Sequence, residues 1–204
     1  MNYTIDYIKD WLRKNLNEER YEHSLGTAEA AYSLAEKNGI DKDKAYFTGL
    51  IHDCAKCMPK EESLDILKTL ELCEGEFENP KTHHAPIGAY VAQKEFGIND
   101  EEILSAIRWH TIGKKDMSLF EKIIFLADKI EQRTRPMEYA EPIRMAVNEY
   151  GIDAGLLVCY QNTIKSLVDR NLTICIVTID IYNSLLQLQK SFVGKNTTKK
   201  LLYK

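Results

Sequence analysis

The sequence has few of the residues that interrupt helices. Its 204 residues include only 10 glycines and 5 prolines, below the average shares of about 7% and about 5% in soluble proteins. Such a chain accommodates long helices, because glycine and proline are the residues that helix interiors tolerate least. The apolar content of 44% and charged content of 28% are close to globular averages, which excludes a disordered or collagen-like chain.

The sequence also lacks an excess of positive charge and a long apolar run. The formal net charge is -4 and the pI is near 5.8, so no overall positive field attracts nucleic acid or a membrane surface. The longest apolar-rich run, residues 172–181, is about half of the ~20 residues that span a bilayer. The N-terminal MNYTIDYIKDW has no apolar core of a secretory signal. Five cysteines form no even disulfide framework, and we expect a cytoplasmic protein with reduced thiols.

Apolar residues recur at the three-to-four spacing of helices along most of the chain. The β-branched segment 173–179 has no partner strand, so we expect it to be an extended entry to the last helix. We predict an all-α fold, with a single domain over residues 1–190 and a basic, frayed tail over residues 191–204. The predicted helices cover approximately residues 5–16, 18–37, 41–55, 60–70, 84–96, 100–110, 117–131, 137–150, 153–169 and 178–190.

Histidines and two carboxylates form the main candidate for a functional site. His52 and Asp53 end an apolar helix about 100° apart, where one metal takes both side chains or two metals share the carboxylate. Asp128 lies in the apolar segment FEKIIFLADKI, where burial is costly unless the carboxylate is paired or coordinated; alternatively it faces solvent at a helix end. One helix and a loop separate successive candidates, so their side chains can meet in a bundle core. The candidates are His23, His52, Asp53, His84, His110 and Asp128.

The order His23, His52-Asp53, Asp128 resembles the H…HD…D signature of the HD superfamily of metal-dependent phosphohydrolases, which fold as all-α bundles. Longer phrases resemble its YqeK-like branch, the bacterial symmetrical diadenosine tetraphosphate hydrolases, from about residue 16 to residue 188. The resemblance implies a bundle with a metal site in its core, and hydrolysis of this nucleotide to two ADP by a metal-activated water. The phrases are RYEHSLGTAEAAYSLAEKNGI, AYFTGLIHDCAK, HAPIGAYVAQKEFGI, AIRWHTIGKKDMSLFEKIIFLADKIE and NTIKSLVDR.

The resemblance also implies roles for individual residues. Its first metal would be bound by His23, His52, Asp53 and Asp128, and a second by His84 and His110, with Asp53 as the bridge. His83 is the alternative to His84. The family implies two iron ions, whereas imidazole and carboxylate ligands alone suit iron, manganese or zinc.

Catalysis and phosphate binding need further groups near these ligands. The implied catalytic residues are Asp53 and Lys56, the latter through the family motif HDxAK. The stretch IEQRTRP departs from the family pattern, which leaves the roles of Arg133 and Arg135 open. The substrate-binding candidates are Arg20, Lys56, Thr111, Lys114 and Arg133.

Several alternatives remain at this stage. Another HD-type activity would act on other nucleotides as a nucleotidase, a guanosine alarmone hydrolase or a phosphodiesterase. A non-catalytic metal-binding module is disfavoured because all six ligand positions are filled. Cys54 and Cys57 form a C-x-x-C for which we prefer packing over a redox or zinc role. Only the Lys-rich tail favours nucleic acid, and a homodimer could form through Tyr3, Tyr7 and Trp11 of the first helix.

Overall fold

The computed structural model describes residues 4–73, 76, 77 and 79–195, and within them it contains ten α-helices and no strand. The predicted all-α fold is confirmed. No helix among these residues is both long and apolar enough to cross a membrane. The helices are α1 (Ile5–Asn15), α2 (Glu18–Lys37), α3 (Lys42–Ile51), α4 (Lys60–Leu67), α5 (His84–Phe96), α6 (Glu101–Trp109), α7 (Leu119–Ile130), α8 (Met137–Tyr150), α9 (Ile152–Asp169) and α10 (Ile176–Lys195).

Short polar side chains define where several helices begin. Ser118 accepts a hydrogen bond from the backbone of Glu121, whose carboxylate accepts one from the backbone of Ser118. This reciprocal capping box starts α7 at Leu119, two residues later than the predicted start at residue 117. Gly97 ends α5 in the left-handed conformation with φ of 59°, which glycine adopts without steric cost. Side chains also cap α1, α2, α3 and α6, from Thr4, Asn17, Asp41 and Asp100.

Three helices differ from their predicted extent by more than two residues at one end. Helix α4 was predicted to continue to residue 70 but ends at Leu67. Helix α3 was predicted to continue to residue 55, but it ends at Ile51 and residues 52–57 form turns. Bonds to residues three positions earlier, such as Lys56 N to Asp53 O at 2.9 Å, replace the helical pattern there. The last helix begins at Ile176 rather than residue 178 and runs to Lys195, five residues into the predicted tail. The rest of that tail, residues 196–204, lies outside the described residues.

The buried apolar side chains form two clusters. One gathers residues of α7 to α10 with part of α2, Ala45 of α3 and Ala106 of α6. The other gathers residues of α1, α3, α5 and α6 with Tyr21 and Ala28 of α2. Helices α2 and α3 cross closely, because a Cβ atom on Gly49 would lie 2.9 Å from the Cα of Ala28. Helices α2, α3 and α6 contribute to both clusters, and the buried histidines and aspartates lie on these helices, on the turns that follow α3 and α6, and on α5 and α7.

Candidate metal centre

Two histidines lie in turns directly after helices and are oriented by backbone carbonyls. The Nδ1 atom of His52 donates to the carbonyl of Gly49 at 2.7 Å, and that of His110 donates to the carbonyl of Ile107 at 2.7 Å. A carbonyl only accepts, so each Nδ1 carries the proton and each Nε2 offers a lone pair. Both rings are fully buried or nearly so. This tautomer is the one that binds metals through Nε2.

A carboxylate orients the third histidine, His23 of α2. Its Nδ1 lies 3.2 Å from Oε1 of Glu131, and its Nε2 lies 2.9 Å from Oδ1 of Asp128. Burial raises the pKa of Glu131, but hydrogen bonds from His23 and Thr134 outweigh burial and lower it to about 2. Glu131 is therefore an ionised acceptor that holds the ring, the arrangement found behind many metal-binding histidines.

Two groups of buried side chains have the geometry of metal sites. The first is His23, His52 and Asp128, and the second is His52, Asp53 and His110; within each, the ligand atoms lie within 4.8 Å of one another. His52 belongs to both groups, and its Nε2 lies 3.8 Å from Oδ2 of Asp53 and 3.8 Å from Oδ1 of Asp128. The centre therefore consists of two adjoining sets of nitrogen and oxygen donors.

Two buried atoms of these groups have no hydrogen-bond partner among the residues that the structure describes. They are Nε2 of His52 and Oδ1 of Asp53. A buried polar atom without a partner costs free energy, and a lone pair on each atom would be satisfied by a cation. The donor set is imidazole and carboxylate without thiolate, which suits iron, manganese or zinc. The residues present therefore fit a metal.

His84, the first residue of α5, extends the centre. Its Nε2 lies 3.2 Å from Oδ1 of Asp53 and 3.1 Å from Nε2 of His110. Thr111 places its hydroxyl 3.1 Å from the same nitrogen. His83 faces elsewhere, because its Nε2 donates to the carbonyl of Phe77 at 3.0 Å. The structure thus brings His84, and not His83, to the other candidate ligands.

Four cationic side chains surround the two buried aspartates. Arg20 lies 3.6 Å from Oδ2 of Asp53, and Lys56 lies 3.0 Å from Nε2 of His84. Lys129 and Arg135 each contact a different oxygen of Asp128. Burial raises the pKa of both aspartates, but other groups outweigh it and hold both pKa values well below their ordinary range. For Asp53 these are the neighbouring histidines His52, His84 and His110. For Asp128 they are Lys129 and Arg135, together with the hydrogen-bonded His23 and the nearby His52.

Two predicted substrate-binding residues are engaged outside this centre. Lys114 pairs with Glu121 of α7 at 2.6 Å, and it also donates to Ser105 at 3.0 Å. Arg133 pairs with Glu22 at 2.5 Å and with Glu29 at 2.6 Å, both on α2. No contact recorded among the described residues brings either cation to the histidines, so the geometry favours neither as a phosphate ligand.

The sequence analysis did not select Glu131 or Lys129, and it left Arg135 without a role. The sequence signal that could have identified Glu131 is its spacing. Glu131 lies one helical turn after Asp128, and Gly26 lies one helical turn after His23, so each pair shares a helix face. A Cβ atom on Gly26 would lie 2.3 Å from Oε2 of Glu131. A glycine in mid-helix beside a metal-binding motif thus marks where a second chain segment approaches the helix closely.

The C-x-x-C segment has the environment expected for packing. Cys54 is buried, and its thiol donates to the carbonyl of Gly88 at 3.6 Å. Burial raises the pKa of this thiol, which makes it a poor nucleophile. Cys57 is exposed, and neither residue is in a disulfide.

Comparisons with known proteins agree with this geometry. The model of the HD domain family matches residues 20–133. The chain is 37% identical over 84% of its length to a Bacillus subtilis protein named symmetrical bis(5'-nucleosyl)-tetraphosphatase, covering 92% of that protein. A protein of the same name from Halalkalibacterium halodurans is 38% identical over 88% of this chain and 95% of its own.

A solved structure supports the same assignment. It is described as a predicted HD superfamily hydrolase involved in NAD metabolism, from Clostridium acetobutylicum. It is 38% identical, has a TM-score of 0.84, and is matched over 91% of this chain and 98% of its own. The predicted resemblance is confirmed, and the chain belongs to the HD domain family.

Proposed function

We propose that this protein is a metal-dependent hydrolase that cleaves diadenosine tetraphosphate symmetrically into two ADP. The observation that carries the proposal is the pair of adjoining buried His/Asp groups, with unsatisfied atoms on His52 and Asp53. Relatives of nearly the same length carry the name of this activity. The fold, the donor chemistry and the relatives therefore support one reaction class, hydrolysis of a phosphoric anhydride.

Six residues would hold two metal ions, and the family resemblance favours iron. His23, His52 and Asp128 would bind the first ion, His84 and His110 the second, and Asp53 would bridge. A bound pair would supply Lewis-acid charge and lower the pKa of a water. Asp53 suits the bridging position because Oδ2 lies 3.8 Å from Nε2 of His23 while Oδ1 lies 3.2 Å from Nε2 of His84.

The remaining groups would bind and stabilise the phosphates. Lys56 and Arg20 place positive charge beside Asp53, where it would offset negative charge on the phosphoryl group under attack. Thr111 adds a hydroxyl next to His84. In the reaction one water adds to a β-phosphorus, the anhydride bond to the bridging oxygen breaks, and the second ADP leaves with that oxygen.

A nucleotide panel separates this activity from its alternatives. Protein purified without oxygen and analysed for metal would be incubated with diadenosine tetraphosphate, guanosine alarmones, nucleoside monophosphates and a cyclic dinucleotide. We expect ADP from the first and at least tenfold slower turnover of the others. Preferential turnover of another substrate would indicate a different HD-type activity, and bound metal without any turnover would indicate a binding module.

We also propose a cytoplasmic location, which agrees with the absence of a disulfide among the five cysteines. A homodimer through α1 is the proposed assembly. Tyr7 is 46% exposed, whereas Trp11 packs edge-on against Phe96 of α5, and Tyr3 lies outside the described residues. Sedimentation equilibrium tests this assembly: a mass near twice the 23.5 kDa of one chain supports it, and a single-chain mass contradicts it.

A further inference from the structure

The four histidines of the centre follow one another in a defined order. Successive ring centroids are 5.2 Å apart for His23 and His52, 4.9 Å for His52 and His110, and 5.0 Å for His110 and His84. The two members with a single histidine neighbour in this series are His23 and His84. The centre therefore has two distinguishable ends, the His23 end and the His84 end.

Each end carries its own cation. At the His84 end, the ammonium of Lys56 lies 3.1 Å from Nδ1 and 3.0 Å from Nε2 of that ring. At the His23 end, the guanidinium of Arg135 contacts Asp128 and lies 3.4 Å from Nε2 of His23. Lys129 binds the other oxygen of Asp128. Positive charge thus brackets the centre rather than lying on one side of it.

These cations lie between the buried donors and solvent. Side-chain exposure is 27% for Lys56, 26% for Arg135 and 15% for Lys129, whereas Asp53 and Asp128 are only 3% and 6% exposed. Their carboxylate partners are also the proposed metal ligands. Metal binding would satisfy those carboxylates and leave the cations with unneutralised charge facing outward, which a polyanion would offset.

We propose that Lys56 at one end, and Arg135 with Lys129 at the other, bind phosphates on opposite sides of the bond that is cleaved. These contacts would set cleavage at the middle of the tetraphosphate. This inference rests on the proposed function. A chain of four phosphates has two on each side of its central anhydride. Cations at both ends hold it in this register. When the cation at one end of the centre is removed, the tetraphosphate can shift by one phosphate. Attack of water on the shifted substrate then breaks an outer anhydride bond and yields AMP and ATP.

The test uses methionine variants, which keep an unbranched apolar stem of similar length and remove the charge. Lys56→Met, Lys129→Met and Arg135→Met would be compared with Lys122→Met, also in α7, whose ammonium binds the exposed Asp153. Each metal-loaded protein would be analysed for metal content, for products from diadenosine tetraphosphate, and for calorimetric affinity toward a methylene-bridged, uncleavable analogue.

We expect AMP plus ATP to make up at least about a tenth of the product from Lys56→Met and from Arg135→Met. We also expect the affinity of these variants for the analogue to be about tenfold weaker. Lys122→Met should match the unsubstituted protein.

The other possible results either contradict the inference or are interpreted from the affinity for the uncleavable analogue. ADP as sole product with unchanged affinity would overturn it, as would loss of metal from a variant, since the cation would then maintain the centre. For a variant without turnover, weaker analogue binding supports the inference and unchanged binding overturns it. If the unsubstituted protein forms no ADP, the proposed function fails. Affinity for inorganic tripolyphosphate then judges the cations alone, with the same tenfold criterion.

Discussion

At the scale of single residues, the centre depends on how a few buried atoms are satisfied. Asp53 is the residue on which most of the geometry converges, because His23, His84, His110 and Arg20 all lie within 3.8 Å of one of its oxygens. The carboxylate stays charged since interactions with the histidines His52, His84 and His110 outweigh burial and hold its pKa well below the ordinary range. Charge, rather than shape, is therefore what this side chain contributes.

Asp53→Asn keeps the shape and removes the charge. We expect both metals to be lost and activity to fall by about three orders of magnitude or more, since the bridging carboxylate of a two-metal site is absent. Metal analysis and turnover of diadenosine tetraphosphate check this. Asp153→Asn, at an exposed ion pair with Lys122, is the control. Full metal content with full activity in Asp53→Asn would contradict the bridging role.

Glu131 acts through His23 rather than on substrate. Glu131→Gln should weaken the orientation of that imidazole and lower metal affinity by about 10- to 100-fold, the usual cost of altering such a partner. Competition with a chelator measures this affinity. Glu141→Gln, whose carboxylate is exposed and binds Arg144, should leave it unchanged. Equal affinities for both variants would show that Glu131 has no such role.

At the scale of secondary-structure elements, close approach between α2 and the end of α7 builds the first donor group. Gly26 permits it, because Oε2 of Glu131 lies 2.3 Å from where a Cβ atom would be, which is too close for any side chain. Gly26→Ala should therefore push the two segments apart and destabilise the protein by roughly 1–3 kcal/mol. Urea unfolding measures the change, with Ser33→Ala on the same helix expected within about 0.5 kcal/mol. Equal stabilities would contradict the close packing.

A second element-scale contact joins α6, α7 and the loop between them. The carboxylate of Glu121 accepts hydrogen bonds from Lys114 and Ser105. Burial raises the pKa of Glu121, but these two partners outweigh burial and lower that pKa. Because folding lowers the pKa of Glu121, its ionic contacts stabilise the folded state at pH values above the ordinary pKa of about 4.5. This stabilisation is lost as the pH falls through the pKa of Glu121 in the folded protein. Glu121→Gln should cost about 1–2 kcal/mol at pH 7, and the difference should narrow between pH 5 and pH 3. A difference independent of pH would contradict the ionic origin.

At the scale of the whole molecule, two apolar clusters support the fold, and the donors of the centre come from elements of both clusters. Metal removal should therefore lower the melting temperature without unfolding the chain, because binding adds stability only in proportion to ligand occupancy. Circular dichroism after chelation should show unchanged helix content and a melting temperature lower by several degrees. Loss of helical signal at 25 °C would show that metal is required for folding.

Much of this architecture follows from local sequence signals. Periodicity and caps predict α2 at its observed bounds, and they predict α7 with a start two residues before its capping-box start at Leu119. Periodicity misses the end of α3, because turns after Ile51 preserve apolar spacing while they reorient His52 and Asp53. The family signature predicts the donors that the structure brings together, but it does not separate Arg133 from Arg135. That difference depends on Glu22 and Glu29, more than 100 residues earlier in the chain.

The most direct test of the central claim is hydrolysis of diadenosine tetraphosphate in water enriched in oxygen-18, with mass spectrometry of the nucleotides. One water is consumed per substrate and its oxygen stays on the phosphorus attacked. We expect ADP as the sole product, with one labelled oxygen in half of the ADP molecules. AMP and ATP as the products, or no product from metal-loaded protein, would contradict that claim.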